Sequence, residues 1–474
     1  MSEQTKLVGS RHPDSHREAV GSRWLPVAGY RLPVSNCEPE GGCLQSGNSP
    51  LAIHKNRGVN VKTTARIVPI FHRTNHILPT ASRWLSGCLL PTFCLLAILT
   101  ILGCKAQSTA ADSKRTILGA EQLDLLLPQL QGKRVGLLVN NTANIGKTHL
   151  ADTLVRRGVS ITKIFGPEHG FRGEAADGEQ VNDSVDLKTG IPLVSLYGKN
   201  YKPTPQQLSD IDILLFDIQD VGTRFYTYIS TLHYAMEACA ENGKRLIVLD
   251  RPNPNGYVDG PIRRPELKSF VGMDPIPIVH GLTVGELALM INGEGWLEGG
   301  TQCTVDILTL KNWKHADEYP VPARPSPNLP NDQAIKLYPS LCLFEGTVIS
   351  IGRGTPMPFQ VLGNPELKGM AFKFTPVSIR GVSTHPPLEN KVCFGFDLRS
   401  VKVERKLDLS YLLEFYNAYP DKGKFFTAYF DRLAGTPLLK QQIQGGLTED
   451  QIRATWQGEL DAYKTMRTKY LLYP

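Results

Sequence analysis

Residues 211–250 read IDILLFDI (Ile211–Ile218), QDVGTR, FYTYISTLHYAMEACAENG (Phe225–Gly243) and KRLIVLD (Lys244–Asp250). The first and last runs are almost continuously apolar, as strands covered on both faces must be. The long middle piece has apolar residues at helical spacing and ends on Asn242-Gly243, a pair suited to a helix C-terminus. Strand, helix and strand in this order predict a βαβ unit. Similar apolar runs lie upstream at RVGLLV (134–139), SITKIF (160–165) and IPLVSLY (191–197), separated by the helical patterns THLADTLVRRG and TPQQLSD. Strands alternating with helices predict an α/β domain over 117–270, a Rossmann-like, doubly wound parallel sheet. Beyond it the rhythm changes. LTVGELALMINGEG (282–295) reads as a helix, CTVDILTL (303–310) as a strand, and YPVPARPSPNLPND (319–332) is interrupted by proline too often for either. TEDQIRATWQGELDAYKTMRTKYLLY (448–473) has helical periodicity behind a Thr/Glu start. Residues 271–474 are therefore expected to form a second, α+β domain, with the active-site cleft between the two.

The formal charge of +7 is concentrated at the N-terminus: residues 1–84 hold 11 Lys+Arg against 5 Asp+Glu, and the other 390 residues hold 41 against 40. A neutral bulk argues against a nucleic-acid partner. Residues 85–104, LSGCLLPTFCLLAILTILGC, carry no charge and could span a bilayer. Pro91 and the ending Ile101-Leu102-Gly103-Cys104 fit better an export signal cleaved before a cysteine that is then lipidated. The expectation is an exported lipoprotein, periplasmic or attached to the outer membrane through Cys104, with an ordinary signal or membrane anchor as the alternative. The leader 1–84 has no sustained periodicity and reads as a disordered tail or the product of a misassigned start; 105–116 is a polar linker. Four of the nine cysteines (Cys239, Cys303, Cys342 and Cys393) fall in the globular part, at spacings that match no zinc or redox pattern. They read as buried thiols or, in an oxidising compartment, a disulfide.

In open parallel sheets ligands bind beyond the carboxyl ends of the strands. The strand ending at Phe165 delivers Glu168, His169, Arg172 and Glu174. The strand ending near Ile218 carries Asp217 and delivers Gln219, Asp220, Arg224 and Tyr226, and the one ending at Leu249 delivers Arg251 and Asn253. No G-x-G-x-x-G in register, P-loop, H-E-x-x-H, cysteine pair or G-x-S-x-G is present, so neither a cofactor nor a metal ion is expected and serine hydrolysis is disfavoured. Carboxylate chemistry remains. Glu168, in the Gly-bounded loop FGPEHGFRGE, suits a general acid for glycoside hydrolysis or, equally, an ion pair with Arg172 that closes the loop. Asp220 is either a second carboxylate or the cap of the helix starting near Arg224. Arg172, Arg224 and Arg251, with Arg353 in SIGRGTP, would suit a substrate carboxylate, which Arg grips through paired hydrogen bonds. Tyr226 and Tyr228 cannot share a helical face, so one of them at most should line the cleft if that segment is helical. Glu345, in LFEGT, either binds sugar or caps a turn.

At these residues the chain resembles the NamZ-type exo-β-N-acetylmuramidases. The matching blocks include GLLVNNTA, FGPEHGFRGEAADGE, LLFDIQDVGTRFYTYISTL, VLDRPNPNG, SFVGMDPIPIVHGLTVGELA and LYPSLCLFEGTVISIGRGTPMPFQVLG, from about residue 117 to the C-terminus. The resemblance implies a two-part hydrolase that removes terminal β-1,4-linked N-acetylmuramic acid from the non-reducing ends of peptidoglycan fragments. It makes Glu168, in P-E-H-G, the leading catalytic candidate. The lactyl carboxylate of muramic acid would give the arginines a partner. The competing reading is a surface lipoprotein that binds cell-wall saccharides without cleaving them.

Overall fold

The computed structural model describes residues 115–172 and 184–474. The leader, the signal segment with Cys104, the linker up to residue 114, and Glu174 lie outside the described residues.

The main sheet is built from β1 (Arg134–Val139), β2 (Ser160–Gly166), β3 (Ser184–Val185), β4 (Pro192–Ser195), β5 (Ile213–Asp217) and β6 (Arg245–Leu249). An antiparallel ribbon of β7 (Val258–Ile262) and β8 (Pro277–His280) follows, and then β9 (Thr304–Leu308) returns to the sheet. The order is β9-β6-β5-β1-β2-β4-β3, parallel throughout except for the edge pair β3 and β4. Strand side chains point alternately to opposite faces, and the two faces feed separate cores. Leu214, Phe216, Leu246 and Val248 enter one; Ile213, Leu215, Ile247 and Leu249 enter the other. Helices α1 (Leu123–Leu130) and α2 (Leu150–Arg156) cover the second face through Leu126, Leu130, Leu150 and Leu154. Helices α3 (Tyr228–Glu241) and α4 (Val284–Gly293) cover the first through Leu232, Met236, Leu287 and Ile291. The unbroken apolar runs of the sequence are thus the two faces superimposed.

The sheet does not end at residue 270 as the sequence suggested. CTVDILTL becomes β9, paired in parallel with β6 from Thr304↔Arg245 to Leu308↔Leu249. A parallel neighbour needs a crossover, and α4 supplies it. The rest comprises α5 (Asp332–Leu341), an antiparallel sheet of β10 (Val361–Asn364), β11 (Phe372–Phe374) and β12 (Cys393–Asp397), and helices α6 (Ser410–Ala418), α7 (Phe430–Ala434), α8 (Leu438–Gln444) and α9 (Glu449–Arg467). A reciprocal Thr448/Gln451 capping box opens α9, which buries Ile452, Trp456, Leu460 and Tyr463 along one face. The Tyr463 hydroxyl donates to the His280 carbonyl at 2.9 Å, fastening α9 to β8. The four cysteines are buried free thiols.

Helix α3 is itself pinned by charge. His233 Nδ1 lies 2.8 Å from Asp274 and Nε2 lies 3.1 Å from Glu237. Burial opposes the imidazolium, but the two carboxylates outweigh it and raise its pKa to about 9. The folded state therefore holds this proton more tightly than the unfolded chain, whose histidine titrates near ~6.5. The stabilisation is complete below that value and is lost as pH rises through about 9. Urea unfolding should show stability falling by on the order of 2–3 kcal/mol between about pH 6.5 and pH 9.5. His233→Gln should flatten most of that slope.

Candidate active site

Beyond the carboxyl end of β2 the chain turns tightly through Pro167–Gly170, with the Gly170 N–H donating to the Pro167 carbonyl at 2.9 Å. His169 adopts φ 67°, a left-handed conformation uncommon outside glycine. Its Nε2 lies 3.2 Å from Ser326 Oγ, which anchors the strained residue to the Pro-rich segment. The turn presents Glu168, half-buried, to the start of α3. There Thr227 Oγ1 donates to Glu168 Oε2 at 2.8 Å, and the Tyr228 hydroxyl lies 3.3 Å from the Glu168 carbonyl.

Glu168 and His169 line a cleft of about 1270 Å³. That exceeds the roughly 300–1,000 Å³ of ordinary small-ligand sites and suits an extended ligand. Tyr197, Thr227, Tyr228 and Phe270 also line it, as do Ser326 and Asn328 of the Pro-rich segment and Glu345, Arg353, Lys391 and Arg432 of the C-terminal part. Tyr226 and Tyr228 both line it, and the helical condition that would have kept one of them out is not met. Helix α3 starts only at Tyr228, so the two are not on one helix; their hydroxyls reach the same Pro325 carbonyl at 2.7 and 3.3 Å. Glu345 is held by Arg353, whose Nε donates to Oε1 at 2.7 Å while its guanidinium lies over the Phe359 ring. Burial first, and then the Glu168 carboxylate, push the Tyr201 phenol up in pKa, and Tyr201 packs 4.3 Å from Phe270, centroid to centroid. One wall beside Glu168 is therefore aromatic.

Other sequence candidates are absent from the cleft lining. Asp220 is buried, its Oδ2 accepting the Gly222 N–H at 2.6 Å and lying 3.3 Å from His280 Nε2, so it closes a turn and neither joins Glu168 nor caps α3. Asp217 and Arg251 form a buried two-bonded ion pair. It sits at the switch point between β1 and β5, where doubly wound sheets ordinarily take ligands. Gln219 donates to the carbonyls of Asp220 and Pro252, and Asn253 to that of Leu282. Arg172 makes its paired bonds, both 2.9 Å, with Asp186 and not with Glu168. Arg224 is fully buried and donates to the carbonyls of Pro261, Ile276 and Leu433 at 2.8–2.9 Å. These are folding contacts, and residue type alone does not separate them from ligand contacts. No sequence motif marks Thr227, Ser326, Phe270, Lys391 or Arg432, which also line the cleft. Among the described residues no group of three His, Cys, Asp or Glu is placed to share a metal ion, and no helix is long and apolar enough to cross a membrane.

Comparison with known proteins shows the family. The family model for the N-terminal part of the exo-β-N-acetylmuramidase NamZ matches residues 135–333, and that for its C-terminal part matches 336–473. The chain belongs to the NamZ family. It is 40% identical over 399 residues to the peptidoglycan β-N-acetylmuramidase NamZ of Bacillus subtilis, covering 78% of this chain and 95% of that protein. Two crystal structures of DUF1343 family proteins from Bacteroides fragilis are also similar. One is 45% identical with a TM-score of 0.71, covering 76% of this chain and 99% of its own. The other is 30% identical with a TM-score of 0.65, covering 76% and 100%. The two NamZ family models meet at 333–336, just at the start of α5, so the family's N-terminal part includes β9.

The fully buried Arg224 generates a prediction. Arg224→Met should lower the free energy of unfolding, measured in urea, by about 3 kcal/mol or more, because each orphaned buried carbonyl costs roughly 1–3 kcal/mol.

Proposed function

We propose that this NamZ-family hydrolase releases terminal β-1,4-linked N-acetylmuramic acid from the non-reducing ends of peptidoglycan fragments, with Glu168 as its general acid. The observation that carries the reading is the placement of Glu168. It is a carboxyl group fixed on a strained turn, anchored by Thr227, and aimed into a cleft large enough for linked sugars. A glycosidase acid must protonate the leaving sugar's oxygen in the transition state, which demands a fixed carboxyl group at the bond to be broken. His169 sets the turn that holds it. Asp220 is buried and absent from the cleft lining, which favours the substrate's own acetamido oxygen for the nucleophile's part. Export as a lipoprotein attached through Cys104 would bring the enzyme to the compartment of its substrate.

The test is hydrolysis by the full chain of a muramyl–glucosamine disaccharide, of 4-nitrophenyl β-N-acetylmuraminide and of the matching glucosaminide. Only the muraminides should be cleaved. Glu168→Gln should lower kcat on the disaccharide by roughly 10²–10⁴-fold. It should cost less on the nitrophenyl glycoside, whose leaving group departs without a proton, and sugar binding should survive. A folded protein that binds N-acetylmuramic acid and cleaves nothing would be the saccharide-binding lipoprotein instead. Asp220→Asn should keep kcat within about threefold while costing about 1 kcal/mol of stability, since only a turn contact is weakened.

A further inference from the structure

Three Lys or Arg side chains line the cleft: Arg353, Lys391 and Arg432. Arg353 is committed to Glu345. Lys391 and Arg432 are exposed, and among the described residues neither has a carboxylate within ion-pair distance. Arg432 sits on α7, and its neighbour Asp431 pairs with Lys440 at 2.6 Å. The helix bearing Arg432 is also held with unusual firmness for one of five residues. The Leu433 carbonyl takes the Arg224 guanidinium at 2.9 Å, the Gly435 carbonyl takes the Arg264 N–H at 2.7 Å, and a Cβ on Gly346 would collide with the Phe430 backbone at 2.4 Å. A long, charged side chain on a rigid mount beside the Glu345 turn is built for recognition.

We infer that Arg432, with Lys391 as the second cation, binds the lactyl carboxylate of the terminal muramic acid and is what separates muramic acid from glucosamine in this cleft. The inference rests on the proposed muramidase reading. The cleft also contains the exposed Glu366, so the selectivity depends on where the charge stands and not on a positive total. A guanidinium pairs a planar carboxylate through two parallel N–H bonds, so Lys in its place would recover only part of the effect.

The test compares 4-nitrophenyl β-N-acetylmuraminide with its lactyl primary amide, nearly equal in shape and neutral, using the full chain. Wild type should prefer the acid. Arg432→Gln should lose roughly 10- to 100-fold in kcat/KM on the acid, mostly through KM, and less than about twofold on the amide. Lys391→Gln should show a smaller loss of the same kind, and Arg432→Lys an intermediate one. Equal losses on both substrates, or no loss on the acid, would overturn the assignment. If wild type cleaves neither compound, the muramidase reading fails, and calorimetry with free N-acetylmuramic acid and N-acetylglucosamine decides the remainder. Affinity for the acid that is unchanged in Arg432→Gln would then overturn the carboxylate site as well.

Discussion

A fully buried guanidinium without a carboxylate beside it is costly, and Arg224 is one. What makes it tolerable is a set of three carbonyl dipoles, from Pro261, Ile276 and Leu433, which lie 37, 52 and 209 residues away in sequence. Those oxygens belong to β7, to the approach to β8, and to α7. A cation needing all three can be buried only when the ribbon, the segment leading to α3 and the C-terminal helix have come together. The cleft depends on this constraint, because the segment that Arg224 fixes runs straight into Thr227 and Tyr228, the residues that hold Glu168.

The same interaction explains where sequence reading stopped. The sheet was legible because a strand buried on both faces must be apolar at every position, and such runs stand out in any chain; β1, β2 and β4 to β6 lie where those runs were read. The place of Glu168 at the cleft was legible because it follows a strand end in a glycine-bounded turn. The arginines were legible only as arginines. A guanidinium that grips a substrate carboxylate and one that grips three backbone carbonyls are the same residue type, and only contacts between residues far apart in sequence distinguish them. Arg172, Arg224 and Arg251 all fell on the structural side of that ambiguity, each bonded from within the protein.

Tyr226 and Tyr228 show a subtler limit. The argument that residues two apart cannot share a face holds inside a helix, but the helix starts at Tyr228 and the preceding turn aims both rings at Pro325. Element boundaries, the weakest part of any sequence reading, decided which side chains met the cleft. The Pro-rich stretch was correctly read as irregular chain, yet irregular chain supplies the carbonyl that receives both hydroxyls and the serine that anchors His169.

A doubly wound sheet offers its best crevice between β1 and β5, and here the Asp217–Arg251 pair, both members buried, fills it. The pair ties the ends of β5 and β6 together, and the cleft lies instead over the loop after β2 and the N-terminus of α3. A cleft so displaced needs an opposite wall, which a single sheet cannot supply. The C-terminal part provides it through the Glu345 turn, Arg353 and α7. On the proposed reading the labour is divided by geometry: the sheet side holds the carboxyl group that would donate the proton, and the added wall carries the charges that would discriminate between sugars.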